Sequence, residues 1–579
     1  EYDDRMLFNS IEFFVFFAAV YALYRLLPFR GQNWLLLVAG YVFYGAWDVR
    51  FLFLIAFSTT VDFATGLMLA DGRISVRQRV TASAFLIGTA LLFLCVNWAA
   101  VAVGLAPPSL AIDWPRLFDT GSRTGLATLI GTAVIVAGAN LLYPVVLRLG
   151  PTPQKRLLVF LSVVVNLSFL GFFKYFNFFI GSAEAGLAWL GFNPEVFRLN
   201  VILPVGISFY TFQSLSYTLD AYRGQVQPAR RFWDFALFVA YFPPMVAGPI
   251  ERAKHLLPQL LQPRTIRLDQ SFHGVVLILL GLFKKVAIAD GVAPAVDAVY
   301  NSTGAVGAAD IVVATVLFAV QIYCDFSGYS DIAIGVSKML GIDLMYNFNL
   351  PYFSRNPSEF WRRWHISLSS WLRDYLYIPL GGNRKGEGRT YVNLMTTMVL
   401  GGLWHGAAWN YVLWGFYQGA LLCGHRLCVG EKAKEKRPLP TSGEAIANTA
   451  IPPEPRGLPW HWLTTPLAIA FFFVFVCYGW MLFRANSLEQ IVTFTKSLVG
   501  FGPSGVASVL PRPVLPALLG IPLLFALHLI EYNGNARGTR VDVYRWWPRP
   551  LQGALYAAMI LILVMGTSNA PVQFIYFQF

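Results

Sequence analysis

Residues 157–180 read LLVFLSVVVNLSFLGFFKYFNFFI, an apolar run in which Lys174 is the single charged residue. A helix needs about 20 consecutive apolar residues to cross the hydrocarbon core of a bilayer. Because backbone amides cannot stay unpaired in lipid, such a run is typical of a membrane-spanning helix. Further apolar segments occupy most of the chain, near 11–27, 34–47, 51–70, 81–104, 126–147, 201–219, 232–247, 271–289, 311–324, 391–409, 411–423, 464–483, 514–531 and 551–567. The sequence therefore predicts an all-α polytopic membrane protein.

The composition excludes a soluble globular protein. Of the 579 residues, 56% are hydrophobic and 13% are charged, about half the charged fraction of an ordinary soluble domain. The net charge of +13 fits basic loops that orient the helices and face anionic lipid headgroups. We expect no nucleic-acid partner, because no basic cluster accompanies a nucleic-acid-binding module. The five cysteines lack metal-type spacing and predict neither a disulfide framework nor a metal site.

Loop charge predicts the orientation of the chain. Every second loop is basic, as with Arg73, Arg77 and Arg79 after the third apolar segment, and basic loops stay in the cytoplasm. The 290–310 loop, in contrast, carries three aspartates and no lysine or arginine. Residues 430–460, rich in Lys, Glu, Pro and Ala, are predicted to form a cytoplasmic linker. Counting spans from these loops places both ends of the chain at the outer face of the membrane.

The stretch 360–375 reads FWRRWHISLSSWLRDY and carries a histidine among tryptophans. At about 100° per residue, its apolar side chains gather into one arc opposite Arg363, Ser370 and Asp374. We expect one amphipathic helix at the headgroup boundary, where rings lie between lipid and water and guanidinium groups reach phosphates. For His365, a packing role and a chemical role have equal weight on these residues alone.

A second histidine interrupts an apolar segment, in Gly401-Gly402-Leu403-Trp404-His405-Gly406. An ionisable side chain inside a membrane span is costly and usually faces a protein cavity or a water path. The flanking glycines allow close approach of a helix or a substrate, although glycine is also an ordinary packing residue of membrane helices. We weigh a functional role for His405 above a structural one by about three to one.

One imidazole with no metal set and no neighbouring carboxylate suits acyl transfer to a hydroxyl group. A base that takes the proton of the alcohol as it attacks a thioester carbonyl increases the reaction rate by roughly 10²–10⁴-fold. The tetrahedral oxyanion then needs hydrogen-bond donors. The candidate donors are backbone amides near the glycines and the side chains of Trp404, Trp361 and Asn410.

Four acidic residues also fall in apolar context, namely Asp62, Asp220, Asp325 and Asp331. A transporter should carry paired intramembrane charges in related halves, and the sequence shows no such internal symmetry. We expect helix caps and salt bridges for most of these residues, with Lys174, Arg223 and Lys338 as the cations. The sequence contains no Walker-type phosphate loop, no His-Glu-x-x-His and no Gly-x-Ser-x-Gly motif, which disfavours an energy-coupled pump.

Several motifs, in the order in which they occur, resemble the membrane-bound O-acyltransferase family, and within it the bacterial alginate O-acetyltransferase branch. They are 203–213 (LPVGISFYTFQ), 241–250 (YFPPMVAGPI), 325–341 and the two histidine motifs. The resemblance covers about residues 6–579 and implies one membrane-embedded domain, 1–579, in which many helices form a bowl around a central funnel with re-entrant and interfacial segments. Two parts are less typical of the family, the predicted span-loop-span segment 101–150 and the 430–460 linker.

The resemblance implies that His405 and His365 are the catalytic residues. It also implies that acetyl groups pass from a cytoplasmic thioester, acetyl-coenzyme A, across the bacterial inner membrane. A periplasmic acetyltransferase or acceptor protein would receive them and acetylate an extracellular polysaccharide. No tightly bound cofactor and no metal is implied. Phosphates of the donor would meet a cluster of basic residues on the cytoplasmic side, formed by Arg355, Arg362, Arg363, Arg384 and Lys385.

The final residues, 574–579 (FIYFQF), look like an aromatic motif of related envelope-acylation systems in which the tyrosine is suspected of carrying the acyl group. Loop charge independently places Tyr576 on the outer side. A phenyl ester is more reactive than an alkyl ester, so a phenol is a sensible acyl relay. An aromatic anchor at the membrane interface is the other interpretation, and we give the two equal weight.

Two functions from different classes stay open on the sequence. The first is an O-acyltransferase, and the second is a lipid or polysaccharide translocation protein without covalent chemistry. Within the first, D-alanyl transfer to teichoic acid and acetylation of peptidoglycan or cellulose are rivals to alginate acetylation, because the sequence does not identify the acceptor.

Overall fold

Helices form almost all of the chain that the computed structural model describes, which is residues 6–105, 108–118, 123–192, 198–199, 202–246, 248–429, 461–502, 505–511, 514–536, 547–567 and 575. Within these residues, seven helices are long and apolar enough to cross a membrane: Val49–Asp71, Thr124–Leu147, Pro151–Trp189, Ala308–Met339, Thr464–Arg484, Leu515–Gly534 and Arg549–Gly566. The predicted all-α polytopic class is confirmed. The predicted linker at 430–460 lies outside the described residues.

The contacts divide the chain into two compact units, and the first comprises Glu1–Val246 and Ile250–Thr265. The organisation as one domain stays a prediction. The helices of the first unit are Ile11–Leu26, Phe29–Gly45, Leu52–Asp71, Val76–Leu94, Arg123–Leu147, Pro151–Leu170, Phe176–Trp189, Ile207–Tyr222, Phe232–Ala240, Phe242–Met245 and Ala253–Leu261, with 3-10 turns at Val49–Phe51, Trp98–Ala100 and Trp114–Arg116 and a π-helical turn at Gly171–Tyr175.

The predicted apolar segment 81–104 does not stay helical to its end. Its helix ends at Leu94, and the chain continues into two antiparallel strands, Val101–Leu105 and Pro108–Ile112. The backbone groups of the two strands pair with each other, so they need no helix to satisfy them. The predicted span-loop-span segment 101–150 therefore begins with a β-hairpin and continues into the helix Arg123–Leu147.

Asp62 joins three helices of the first unit. Its carboxylate is fully buried and accepts hydrogen bonds from Ser162 at 2.6 Å, Asn166 at 3.0 Å and Thr218 at 3.3 Å. Neutral donors thus take the place of the predicted cation for this residue. Hydrogen bonds between side chains of different helices stabilise packing inside a membrane, where water cannot supply them.

The second unit comprises Ala247–Pro249 and Ile266–Phe579. Its helices are Leu268–Leu282, Asp290–Tyr300, Ala308–Met339, Pro357–Arg363, Ile366–Leu372, Glu387–His405, Trp409–Val429, His461–Arg484, Leu488–Lys496, Leu515–Ala536 and Arg549–Gly566, with a 3-10 turn at Pro351–Phe353 and π-helical turns at Phe283–Ala289, Arg373–Tyr377 and Ser497–Phe501.

The helix Ala308–Met339 extends well beyond the predicted apolar segment 311–324. The predicted segment ended at Cys324, and a polar stretch follows it. Two lysines of the turn Phe283–Ala289 pair with the aspartates of this polar stretch. Lys285 lies 2.9 Å from Asp325, and Lys284 lies 2.7 Å from Asp331. The predicted cation Lys338 pairs with Asp343 instead, so the aspartates are salt-bridged as expected but by other partners.

The predicted acidic loop 290–310 is wrong in its first half. Asp290 begins the helix Asp290–Tyr300 and is buried. Its carboxylate lies 2.7 Å from Lys285, so the same ammonium group pairs with both Asp290 and Asp325. A charge that looked solvated in the sequence therefore belongs to a buried ion network.

The helices Glu387–His405 and Trp409–Val429 form an antiparallel pair. We call this pair the histidine hairpin, because His405 is the last residue of its first helix. The two backbones approach at Gly415. A Cβ atom on this residue would overlap the Met398 carbonyl oxygen and come within 2.9 Å of Val399 Cα. Small residues allow this kind of close helix contact in membranes.

We expect Gly415→Ala to destabilise the protein by about 1–3 kcal/mol, because overpacking a close contact forces the backbones apart. Gly424→Ala on the same helix is the matched control. Its Cβ atom would meet nothing within 4 Å, so helix propensity should make it neutral or stabilising by up to about 1 kcal/mol. Thermal unfolding of the detergent-solubilised variants measures both, and equal unfolding temperatures would contradict the role of Gly415.

Candidate functional site

The chain breaks its helix at the first candidate histidine. The prediction of one amphipathic helix over 360–375 is wrong, because Pro357–Arg363 and Ile366–Leu372 are separate helices. Between them His365 adopts a left-handed backbone with φ of +42°. Such a conformation in a residue other than glycine costs on the order of 1–3 kcal/mol and persists only where surrounding contacts impose it.

Of the three residues that were expected on the solvent face of this stretch, Arg363 and Ser370 are buried and Asp374 is half-buried. Arg363 is 4% exposed and donates a 2.5 Å hydrogen bond to Glu359. Ser370 is also buried, and its hydroxyl donates to the Ser367 carbonyl at 3.1 Å. Intramolecular partners therefore replace the water and phosphate groups that the helical pattern implied.

Asn347 supports the bend at His365. Its backbone carbonyl accepts a hydrogen bond from the Ile366 amide at 2.9 Å. Its side-chain Oδ1 lies 3.2 Å from His365 Nδ1 and accepts a hydrogen bond from the Ser367 hydroxyl at 2.6 Å. The His365 ring also packs edge-on against Phe326, with 4.6 Å between ring centroids. The ring is completely buried, and this burial lowers the pKa of His365 to about 3, so it is neutral at pH 7.

His405 is the last residue of its helix and lies in an aromatic enclosure. Ring centroids of Trp404 and Trp414 are each 5.1 Å from the imidazole, and that of Phe483 is 5.4 Å away. The next residue, Gly406, must be small, because the Tyr411 ring occupies the place of a Cβ atom. The imidazole is therefore held by rings on several sides and is only 4% exposed.

The two histidines meet at one tryptophan. The Trp404 ring centroid lies 5.1 Å from His405 and 6.0 Å from His365. The sequence singled out both histidines, but they are forty residues apart and no pattern predicted that they share a neighbour. The fold brings them together because the bend at His365 packs against the end of the histidine hairpin.

The three predicted oxyanion donors have different surroundings. Trp404 lies between the histidines, as described. Trp361 packs against Trp414 at 5.8 Å between centroids, one ring away from His405. Asn410 donates hydrogen bonds to the carbonyls of Phe483 at 3.3 Å and Ala485 at 3.0 Å, so its amide holds the end of another helix.

Trp414, whose ring contacts His405, was not predicted from the sequence. The buried indole N–H groups of Trp414 and Trp361 have no hydrogen-bond partner within the described residues. A buried donor without a partner is destabilising and calls for an explanation, such as a ligand that it binds. Trp414 follows His405 closely in the chain, and this proximity was the signal in the sequence that could have indicated it.

The five basic residues that were predicted to bind the phosphates of the acetyl donor fall into two groups. Glu359 binds both Arg363 and Arg355, the latter through Nε at 3.1 Å. Burial alone would raise the pKa of the Glu359 carboxyl, but the two guanidinium groups outweigh it and hold that pKa below its ordinary value. The other three residues are exposed, namely Arg362, Arg384 and Lys385.

The predicted acyl relay, Tyr576, lies outside the described residues. Its neighbour Ile575 is described and is buried. The amide of Ile575 donates a 2.7 Å hydrogen bond to Asp325, and the next residue of that helix, Phe326, packs against His365. The chain at Ile575 is thus attached to the helix that supports one of the histidines.

A cavity of about 70 Å³ lies next to Asn347. Its lining includes Asn347, the ion pair Lys284–Asp331, Tyr323 and His528. The Tyr323 hydroxyl and His528 Nε2 are 3.2 Å apart. Asn347 therefore contacts the buried ring of His365 and also lines this cavity.

Comparison with known proteins gives a consistent result. A model of the membrane-bound O-acyltransferase family matches residues 229–430, which include both histidines. The chain is 35% identical to the "Probable alginate O-acetylase AlgI" of Azotobacter vinelandii over 95% of this chain and 87% of that protein. The protein of the same name from Pseudomonas putida is also 35% identical, over 99% of this chain and 100% of its own length.

The name of a third relative refers to a different polymer. The "Peptidoglycan O-acetyltransferase" of Helicobacter pylori is 35% identical over 60% of this chain and 66% of that protein. The resemblance of the motifs is confirmed, because similarity of this degree covers nearly the full length of two relatives. The chain belongs to the membrane-bound O-acyltransferase family and is an O-acyltransferase.

Proposed function

We propose that this O-acyltransferase moves acetyl groups from a cytoplasmic thioester, acetyl-coenzyme A, to an acceptor on the outer face of the bacterial inner membrane. The final product is an O-acetylated extracellular polysaccharide such as alginate. The observation that carries the chemistry is the meeting of His405 and His365 at Trp404. The names of the relatives, which refer to alginate and peptidoglycan, support acetyl as the group and a cell-envelope glycan as the product.

His405 acts as the general base in this proposal. Its imidazole accepts the proton of the acceptor hydroxyl while the oxygen attacks the thioester carbonyl carbon. The tetrahedral intermediate then collapses, the carbon–sulfur bond breaks, and the thiolate of coenzyme A takes the proton from the imidazolium. His365, which is neutral, accepts a hydrogen bond from a second donor group of the acceptor, a hydroxyl or an amide N–H, and so holds the nucleophile oriented towards the carbonyl.

The oxyanion of the intermediate is bound by the indole N–H groups of Trp414 and Trp361. Both N–H groups are buried and have no hydrogen-bond partner among the described residues. The Trp414 ring contacts His405, and Trp361 packs against Trp414. Donors that are already oriented in a water-excluding site stabilise developing charge more strongly than donors in water. We propose Trp414 in place of Asn410, whose amide is engaged by two carbonyls.

The phosphates of the donor bind to Arg362, Arg384 and Lys385. These three side chains are exposed, and guanidinium and ammonium groups form strong charge-assisted hydrogen bonds with phosphate. Arg363 and Arg355 have a different part, because both of them form salt bridges with Glu359. They hold the chain before His365 in place.

Acetyl transfer itself can be tested with purified protein in liposomes. Acetyl-coenzyme A labelled in the acetyl group is added on one side, together with an oligosaccharide or acceptor protein that offers hydroxyl groups. We expect the label to move from coenzyme A to the acceptor. A translocation protein gives a different result, in which a lipid or glycan crosses the membrane without an acyl donor and no label is transferred.

We further propose that the Tyr576 phenol carries the acetyl group towards a periplasmic acetyltransferase or acceptor protein. Tyr576→Phe should then abolish polysaccharide acetylation, because the ring stays but the hydroxyl that forms the ester is lost. Removal of 574–579 should have the same effect. Phe577→Leu is the control, since it removes a ring and no hydroxyl. If the segment is only an aromatic anchor at the membrane interface, the Tyr576→Phe variant acetylates polysaccharide normally, and Phe577→Leu has an effect at least as large.

A further inference from the structure

Asn347 makes four contacts around the bend that carries His365. Its Oδ1 lies 3.2 Å from His365 Nδ1 and 2.6 Å from Ser367 Oγ, and its Nδ2 lies 3.0 Å from Ser330 Oγ. Its backbone carbonyl accepts the Ile366 amide. The residue is 1% exposed, so these partners hold the side chain in one orientation.

The distances decide which way the Asn347 amide points. The 2.6 Å contact with Ser367 is typical of an O–H···O hydrogen bond, whereas the 3.0 Å contact with Ser330 is typical of N–H···O. The amide oxygen therefore faces Ser367 and His365, and the amide nitrogen faces Ser330.

This orientation determines where the proton of His365 resides. An amide oxygen only accepts hydrogen bonds, so Nδ1 of His365 must be the donor and carry the hydrogen. In a neutral imidazole the other nitrogen, Nε2, then has the lone pair. The opposite tautomer would place two acceptors against each other at 3.2 Å.

We infer that Asn347 is a positioning residue for His365, which it holds in the tautomer with the lone pair on Nε2. The inference rests on the proposed function, because only a neutral Nε2 can accept a hydrogen bond from a donor group of the bound acceptor. Groups that orient the other nitrogen of a functional histidine change activity by about 10- to 100-fold when they are removed from metal sites. We expect an effect of that size here.

The charged groups around His365 are compensated by their own partners. Asp325 and Asp331 lie on the helix that packs against it, and they pair with Lys285 and Lys284 respectively. Burial alone sets the low pKa of His365. On the helix before it, Arg363 pairs with Glu359, and the His405 ring lies beyond Trp404. A carboxylate introduced at position 347 would therefore be a new charge next to this ring.

Two substitutions separate orientation from packing. Asn347→Leu removes the acceptor and should lower kcat for acetyl transfer by roughly 10- to 100-fold with little change in KM. Asn347→Asp keeps an acceptor for Nδ1–H and adds a negative charge, which raises the pKa of His365. Transfer by Asn347→Asp should therefore fall off on the acid side at a pH at least one unit above that of the unmodified protein.

The matched control is Asn393→Asp. Asn393 is a buried amide of the same unit that donates to the Gly382 carbonyl at 2.9 Å. The Asn393→Asp substitution should leave the pH profile of acetyl transfer unshifted. If the two aspartate variants have the same profile, or if Asn347→Leu keeps kcat within two-fold, Asn347 has no positioning role.

A double-mutant comparison keeps the test decisive if Asn347→Asp does not fold. Asn347→Leu should have no further effect on transfer in a His365→Ala background, because both changes remove the same function. Fully additive losses contradict the inference. The proposed function fails separately, if the unmodified protein transfers no acetyl group in the same assay.

Discussion

Replacing His405 by Ala or Gln should lower acetyl transfer by roughly 10²–10⁴-fold, the contribution of a well-placed general base. The reason is that the hydroxyl nucleophile loses the group that accepts its proton. His405→Gln is the more informative variant, because its volume fills the enclosure of Trp404, Trp414 and Phe483 but its amide cannot act as a base near neutral pH. Transfer of labelled acetyl from acetyl-coenzyme A in liposomes measures the loss.

His425→Ala is the control for the His405 variants. His425 is half-buried and lies 3.3 Å from the Ser358 hydroxyl, so its loss should leave transfer within a few-fold. Membrane insertion and elution in detergent should be the same for all three variants. Should His405→Gln retain the rate of the unmodified protein, His405 is a packing residue and the chemistry must lie elsewhere.

The second large effect is expected at Lys285. Its ammonium group is 1% exposed and lies 2.7 Å from Asp290 and 2.9 Å from Asp325. Lys285→Met leaves two buried carboxylates without a cation, and breaking a buried ion pair typically costs about 3–5 kcal/mol. We expect a corresponding loss of thermal stability in detergent, or failure to obtain folded protein.

Lys338→Met is the matched control, because Lys338 pairs with Asp343, whose side chain is 56% exposed. Ion pairs near the surface contribute about 0–1 kcal/mol, so this variant should unfold within a few degrees of the parent. Combining Lys285→Met with Asp290→Asn and Asp325→Asn should recover part of the loss, since no uncompensated charge then remains. If Lys285→Met is as stable as Lys338→Met, the network does not hold the second unit together.

The Lys285 network also connects stability with the proposed relay. Asp325 accepts hydrogen bonds from the Ile575 amide as well as pairing with Lys285. A change at Lys285 therefore disturbs the attachment of the chain next to Tyr576. Asp325 is followed by Phe326, which packs against His365, so one helix supports both a histidine and this segment.

Local patterns predicted the positions of the helices well and their ends less well. The apolar segment 391–409 corresponds to Glu387–His405, and 464–483 corresponds to His461–Arg484. The failures occurred where polar residues have partners far away in the sequence. The helix Ala308–Met339 continues through Asp325 and Asp331 because two lysines neutralise them.

The bend at His365 had no local signal. A helical plot of 360–375 is consistent with one amphipathic helix, and the residues next to His365 are neither glycine nor proline. The bend exists because Asn347 accepts hydrogen bonds from both the Ile366 amide and the Ser367 hydroxyl. Contacts from another segment can impose a backbone conformation that the local sequence does not favour.

The sequence by itself determined that this is a helical membrane protein, which residues are candidates for chemistry, and the family to which the chain belongs. The bilayer acts on each apolar segment separately, so a run of about 20 apolar residues is sufficient to predict a span. Tertiary structure alone decided that His365 and His405 share Trp404 and that Lys285 pairs with Asp290 and Asp325. Such contacts join residues from separate helices, and only the packing of those helices decides which side chains meet.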